Sequence, residues 1–501
     1  MSSLKTSNEQ TQGLARVVQN ETTALLPSID NVDSHVSLNE ERRLKYTLNE
    51  AFYILKKSVP ILLASFLQYA FTIASVLTLG HIGSVELAAL ALGSMYASVT
   101  GISIFYGATT ALDTLCPQGY TSGNPKMVGV YLQRAIIIVI LGFIPIGLIW
   151  WESGAILVFL GQNEELSAYA QTFLRWSILG APPIFIFWCV EKFLQAQGIM
   201  QATSYVLIIV SPINILLNYG LVWWEKIALG FIGAPIATNI SNWLMLILSI
   251  LYIKYIDGHQ AWGGWTRACL YDWSSFMRLA IPGILTSCAD WWIYELIALA
   301  SGYFGSTQLA AHRLVLTIAL LFFQLPRSIS LATSNRVGNF LGAGFSKKAK
   351  VTAEISLLLA VIGAICNAMG IFIFRDSWGY LFTNDEEVVK LTASVLPLCV
   401  LFQLSDGIGA IGGGILRGLG KQKIISIIYL SAYYIFALPV GLLLAFKFNF
   451  GLIGLWSGVT LASILMGIGI FSVVITTNWE WEVEECRKRI RSDLLEEEIV
   501  V

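Results

Sequence analysis

Residues Gly80 to Leu92 read GHIGSVELAALAL and residues Gly302 to Leu314 read GYFGSTQLAAHRL, two lines that stand 222 residues apart throughout. The same offset pairs Pro60 with Pro282, Leu63 with Leu285, Ser65 with Ser287, Leu194 with Leu416 and Gly198 with Gly420. Gly119 with Gly338 and Gly123 with Gly342 match at 219, which places a three-residue indel between the motifs. A register held over so much of a 501-residue chain is an internal duplication.

Composition decides the solvent. Hydrophobic residues make up 56% of the chain and charged residues only 13%, with a mean hydropathy of +0.69, which excludes an ordinary soluble domain. Roughly 20 apolar residues in a helix cross a hydrocarbon core of about 30 Å. Twelve such stretches are read, near 50–75, 87–112, 128–150, 167–190, 203–224 and 232–254, then 273–300, 308–330, 350–373, 388–413, 424–446 and 453–475. Six spans return a chain to its starting side, so the two units share one orientation and are parallel repeats about the membrane normal. The expected fold is therefore all-α and integral to the membrane, with twelve transmembrane helices in two six-helix lobes related by a parallel internal repeat. The lobes are placed at 48–256 and 273–477, joined by a loop at 257–272, with a disordered amino tail at 1–47 and a carboxyl tail at 478–501.

Lys and Arg set the orientation. With both tails cytosolic, 25 of the 31 basic residues fall on the cytosolic side, leaving Arg175, Lys226, Arg313, Arg375, Lys390 and Lys447 on the other. The net charge of −1 points to no nucleic-acid partner. Seven scattered cysteines without CxxC spacing read as packing residues, and no metal-ligand or nucleophile constellation is present. The polar start of the chain is not a cleavable signal peptide. It contains Glu21-Thr22-Thr23-Ala24-Leu25-Leu26-Pro27, which resembles an acidic dileucine sorting signal. Glu21, Leu25 and Leu26 would address the protein, through a sorting adaptor, to a vacuolar or lysosomal membrane, with the plasma membrane as the alternative. A cytosolic tail leaves the sequon at Asn20 unmodified.

Ionisable residues deep in a membrane are costly and are functional candidates by default. Asp290 and Glu295 lie in the seventh span and Asp406 in the tenth. Their counterparts in the first repeat are Gln68, Ile73 and Ile184, so the acids are a departure from the duplication. A fold requirement would recur in both halves, whereas an ion site is needed once. On a regular helix Asp290 and Glu295 point about 140° apart, while Asp290 and Tyr294 share a face. Trp291, Trp292, Tyr294, Tyr433 and Tyr434, with Gln68, are candidates for a wall that attracts flat or cationic molecules. The Gly407 to Gly420 run reads as close helix packing and not as a phosphate cradle. Asp113, Glu191 with Lys192, and Arg336 lie near cytosolic helix ends, where loop hydrogen bonds or snorkelling account for them. His81 and His312 read as structural.

The motifs now assembled resemble the multidrug and toxic compound extrusion (MATE) family in its eukaryotic branch. They are GHIG with LAALAL, ALDTLCPQGYTSG (111–123), LQAQG (194–198), DWWIYE (290–295), RVGNFLGAG (336–344) and GGILRGLGKQ (413–422). Asp290, where plant and animal relatives usually carry Glu, suggests a fungal member. The resemblance implies a two-lobed bundle with alternating access, exporting organic compounds in exchange for protons or sodium. It also implies essential acids on the seventh and tenth helices, which land on Asp290, Glu295 and Asp406. Prokaryotic relatives often use an acid in the first helix, where this chain has Gln68.

The expected function is thus a transporter and not an enzyme. It is a proton-coupled antiporter that moves cationic or amphipathic organic compounds out of the cytosol, needs no cofactor and is embedded in lipid. In this reading Glu295 and Asp406 exchange proton for substrate and Asp290 tunes them. Sodium coupling is the nearest alternative. A lipid-linked oligosaccharide flippase would need a basic cavity, and an intramembrane aspartyl hydrolase would need a GxGD setting that Ser405-Asp406 lacks.

Overall fold

The computed structural model describes residues 40–500, with side-chain surroundings for 44–493. Glu21, Leu25, Leu26 and the Asn20 sequon lie outside the described residues. Among the described residues the chain is helical, with no strand. The first half contains α1 (Glu40–Gly80), α2 (Ser84–Tyr120), α3 (Met127–Trp151), α4 (Glu164–Ser177 with Ala181–Ala196), α5 (Gln201–Trp223) and α6 (Gly230–Tyr255). The second half contains α7 (Trp273–Gly302), α8 (Ser306–Gly342), α9 (Ser346–Ile373), α10 (Glu386–Leu419), α11 (Gln422–Lys447) and α12 (Gly451–Ile475). A last helix, α13 (Trp479–Val500), follows.

Ten of these helices are long and apolar enough to cross a membrane, and α4 makes eleven. The twelfth, α7, has 30 residues, which is about 45 Å of helix at 1.5 Å per residue. Asp290, Tyr294, Glu295 and two tryptophans dilute its apolar character. Large apolar side chains such as Ile144, Leu148, Leu216 and Ile468 stand exposed around the bundle, as a lipid-facing surface requires.

The structure departs from the hydropathy reading in two ways. The fourth span is bent by 51° between Ser177 and Ala181, where Gly180 precedes Pro182 and Pro183. The break frees carbonyls, and α6 collects them: Asn239 Nδ2 donates to Trp176 O at 2.7 Å, Asn242 Nδ2 to Gly180 O at 3.0 Å and Trp243 Nε1 to Leu179 O at 3.1 Å. Second, α1, α2, α8 and α10 run well past their apolar stretches at the end where α13 lies, hereafter the tail side. Hydropathy misses these turns because their polar side chains are buried against one another: Asp113, Thr114, Gln118, Asn335, Arg336 and Asn339 are all buried.

The lobes meet along α7. Phe276, Leu279 and Ala280 belong to the first-lobe core, whereas Ala289, Ile293, Ile297 and Ala300 belong to the second. The changeover falls at Pro282-Gly283, which crosses α2 at Gly107. A Cβ on Gly107 would lie 2.7 Å from the Gly283 carbonyl oxygen, so only glycine permits this approach.

The tail helix is amphipathic. Trp479, Val483, Cys486 and Ile490 recur at helical spacing and are buried with Val337, Phe340, Leu341, Ala349 and Leu419 of the second lobe. Burying Val483 and Ile490 is worth roughly 1.5–3 kcal/mol each. All seven cysteines are free thiols, six of them buried and Cys366 exposed.

Candidate functional site

Asp290 sits midway along α7 and accepts a 2.8 Å hydrogen bond from Tyr433 of α11. Tyr433 lies in a π-helical segment, Ser431–Ala437, whose extra residue per turn turns it inward; it is completely buried. Asp406, 9% exposed on α10, lies within electrostatic reach of Asp290, and Tyr294 and Tyr429 complete the surroundings of the two acids. Among the described residues no Lys or Arg neutralises either one.

Glu295 stands apart. Its carboxylate accepts from Arg313 Nη2 at 3.2 Å, in partly exposed surroundings near the far end of α7. Helical rotation separates it from Asp290, as the sequence spacing requires. Asp290 and Asp406 are thus the two neighbouring acids, and Glu295 lies apart from them beside Arg313.

The aromatic candidates divide. Trp291 stacks on Tyr106 of α2 with centroids 5.9 Å apart, and Tyr106 meets Trp188 edge-on at 5.6 Å. Trp292 is 38% exposed and donates its indole N–H at 3.1 Å to the carbonyl of Val99. That carbonyl lies in a second π-segment, Ser98–Ile102, where the regular ladder is interrupted. Tyr434 donates to the Ala289 carbonyl at 3.4 Å. Tyr433 is the buried hydrogen-bond partner of Asp290. Gln68 is half-buried on α1.

The seam on the tail side is built differently. Glu50 of α1 makes a two-pronged pair with Arg336 of α8, both contacts at 2.8 Å, and also accepts from Thr352 at 2.9 Å. The guanidinium lies between the rings of Tyr53 and Phe340, 4.1 and 4.3 Å from their centroids. Asp113 pairs with Lys192 at 2.7 Å and approaches Arg417 of the other lobe at 3.6 Å. The last carbonyls of α10 are met by α2: Thr114 donates at 2.5 Å to Arg417 O, which also accepts from the Gly420 N–H at 3.0 Å, and Gln118 donates to Gly418 O at 2.7 Å. Thr121 donates to Asn339 O at 2.7 Å, and Asn339 to Ala196 O at 3.3 Å. The glycines of α10 pack closely as expected, since a Cβ on Gly414 would strike the Ser330 carbonyl.

Sequence reasoning misjudged this seam. Asp113, Lys192 and Arg336 are buried and ion-paired, so they neither snorkel nor serve loops. Arg327, counted with the tail-side charges, reaches from α8 to Ser65 Oγ and the Tyr106 hydroxyl of the first lobe, each at 3.3 Å. Its place beside Pro326 within an apolar run was the available signal. Glu50 carried none, because it reads as an ordinary tail residue. Among the described residues no cluster of His, Cys, Asp and Glu is arranged to hold a metal ion.

A twelve-helix bundle of two duplicated lobes, with unpaired acids inside one lobe and a polar seam between them, defines a secondary transporter. The sequence model of the MatE family matches residues 60–220 and 282–443, one match per repeat, and the chain belongs to the MATE family. The uncharacterized transporter C4B3.13 of Schizosaccharomyces pombe is 39% identical over 456 residues, covering 91% of this chain and 84% of the relative. Human multidrug and toxin extrusion protein 1 is 34% identical over 439 residues, covering 87% and 77%. Among solved structures, the eukaryotic MATE transporter AtDTX14 superposes with a TM-score of 0.84 at 29% identity, covering 89% of this chain and 99% of that one. Vibrio cholerae VcmN in its bent form shares the fold, with a TM-score of 0.76 at 18% identity, covering 90% and 99%.

Proposed function

We propose that the protein is a proton-coupled antiporter that exports cationic or amphipathic organic compounds from the cytosol by alternating access. The observation that carries this reading is the pair Asp290 and Asp406, two deep carboxylic acids near each other and, among the described residues, without a basic partner. Two like charges in such surroundings are not maintained together, so the site holds a proton or a cation. Tyr433 fixes the orientation of the Asp290 carboxyl, and the ring faces of Tyr294, Tyr429 and Trp291 suit flat or cationic molecules. Binding of a proton from the far side releases the organic cation there, and its loss to the cytosol restores the empty site. Glu295, held by Arg313, guards the far entrance to this pair. The name of the human relative, a multidrug and toxin extrusion protein, supports organic substrates. The excess of basic residues on the tail side supports a cytosolic location for both tails, and the dileucine-like motif at Glu21 to Leu26 a vacuolar membrane.

The test uses purified full-length protein in liposomes with an enclosed pH dye, an imposed proton gradient and a panel of organic cations. Wild-type protein is expected to show substrate-dependent proton flux. Asp290→Asn and Asp406→Asn are each expected to lower it on the order of a hundredfold while inserting normally, because an amide neither carries the proton nor neutralises the cation. Undiminished flux in both variants overturns the site. Flux that follows a sodium gradient and ignores protons replaces proton coupling with sodium coupling.

A further inference from the structure

The tail helix α13 is built to do two things at once. Its apolar stripe of Trp479, Val483, Cys486 and Ile490 seats it on the second lobe, and Glu482 pairs with Lys421 of that lobe at 2.6 Å. Its polar edge reaches across the seam. Arg489 lies against Gly420, where a Cβ would come within 2.7 Å of its guanidinium, and donates to Gln118 Oε1 of α2 at 2.7 Å. Gln118 in turn holds the Gly418 carbonyl, so one side chain links α2, α10 and α13. One turn on, buried Asp493 accepts from the Tyr131 hydroxyl of α3 at 2.5 Å and from Ser275 Oγ at the start of α7 at 3.4 Å.

Asp493 also meets a second carboxyl group, that of Asp272. Asp272 caps α7 by accepting from Ser275 N–H at 3.2 Å and lies 3.7 Å from Arg134 Nη1. It adopts the left-handed conformation, φ 48°, which few non-glycine residues occupy. The charged and titratable groups facing Asp493 are Tyr131 and Arg134 from α3 and Asp272 from the inter-lobe loop.

We infer that α13 is a tail-side latch, riding on the second lobe and gripping the first through Arg489 and Asp493, with the Asp493–Asp272 carboxyl pair tightening the grip as the tail-side solution is acidified. A protonated Asp493 donates to the Asp272 carboxylate. An ionised Asp493 repels it. Burial first, and then Asp272, push the Asp493 carboxyl up to about 6, against the opposing effects of Tyr131 and Arg134. A group raised in this way stabilises the latched form fully below its ordinary range near pH 4, and that stabilisation is lost as pH rises through about 6. Tail-side acid therefore holds the lobes closed on that side and slows the return of the site to it. In an antiporter that releases protons into the cytosol, this is restraint by the product of its own exchange.

The inference rests on lobe separation, not on which residues couple transport. Its test places spin labels on the full chain at Lys126→Cys in the first lobe and Lys350→Cys in the second, both exposed, with Cys366→Ser removing the exposed native thiol. The ratio of long to short inter-label distances is expected to rise on the order of tenfold between about pH 5 and about pH 8. Asp493→Asn, an uncharged donor, is expected to keep the short distance at both. Tyr131→Phe, a gentler change, is expected to raise the long population severalfold at both, and it preserves the test if the first variant misfolds. A flat wild-type profile, or an Asp493→Asn profile that follows wild type, overturns the inference. So does a single distance in every variant, since the latch would then hold nothing. Because distance is read independently of flux, failure here leaves the Asp290 and Asp406 assignment standing, and the reverse also holds.

Discussion

The bundle contains two kinds of acid, and the contrast between them is whether a cation stands beside the carboxylate. Glu50 and Asp113, on the tail-side seam, are matched by Arg336 and by Lys192 with Arg417. Asp290 and Asp406, deeper in the second lobe, have hydroxyl neighbours but, among the described residues, no cation. A paired acid is a fixed part of the packing, because removing either partner strands a charge. An acid without a cation beside it is costly to keep at membrane depth, and on the proposed reading it serves exchange, a role needed only once in the duplicated chain. The lobes share a backbone plan, and what differs is where charge is left unmatched.

Stability separates the two kinds most strongly. Arg336→Met strands Glu50 and is expected to cost about 3–5 kcal/mol, read as a lower thermal midpoint in detergent, and Glu50→Gln in the same chain recovers part of the loss. Asp406→Asn is expected to leave that midpoint unchanged or raised while lowering flux on the order of a hundredfold. A large loss of stability in Asp406→Asn would mean that this acid is structural after all. Tyr433→Phe sharpens the comparison within the site. It removes the donor to Asp290 without changing charge, and turnover is expected to fall on the order of tenfold, in keeping with one buried hydrogen bond of about 1–1.5 kcal/mol. The smallest effect belongs to Trp292→Phe, which loses the contact to Val99 O at a half-exposed position. Less than about 1 kcal/mol of stability and little change in flux are expected.

Much of this was legible before any coordinates. Hydropathy at helical length accounts for eleven spans, and α7, whose polar residues set it apart from the others, falls where the repeat places the counterpart of α1. The three acids stood out because subtraction of one repeat from the other left neutral residues opposite them. Less legible was the company each residue keeps. DWWIYE shows that Asp290 and Glu295 face different ways, but not that one meets Tyr433 and the other Arg313. Four of the family-like motifs, around Asp113, Leu194, Arg336 and Arg417, are scattered over some 300 residues and converge on the tail-side seam. Nothing in their spacing announces this.

The chain by itself therefore determined class, span number and duplication, because each follows from local apolar length and a register counted along one dimension. It also determined that carboxylates break the symmetry of the halves. Tertiary structure alone decided which acids stand beside a cation and which, among the described residues, do not, and it turned the polar carboxyl tail into a helix that bridges both lobes. The reason is physical: a charge acts on whatever lies a few ångströms away, and in a folded bundle those neighbours come from helices hundreds of residues distant.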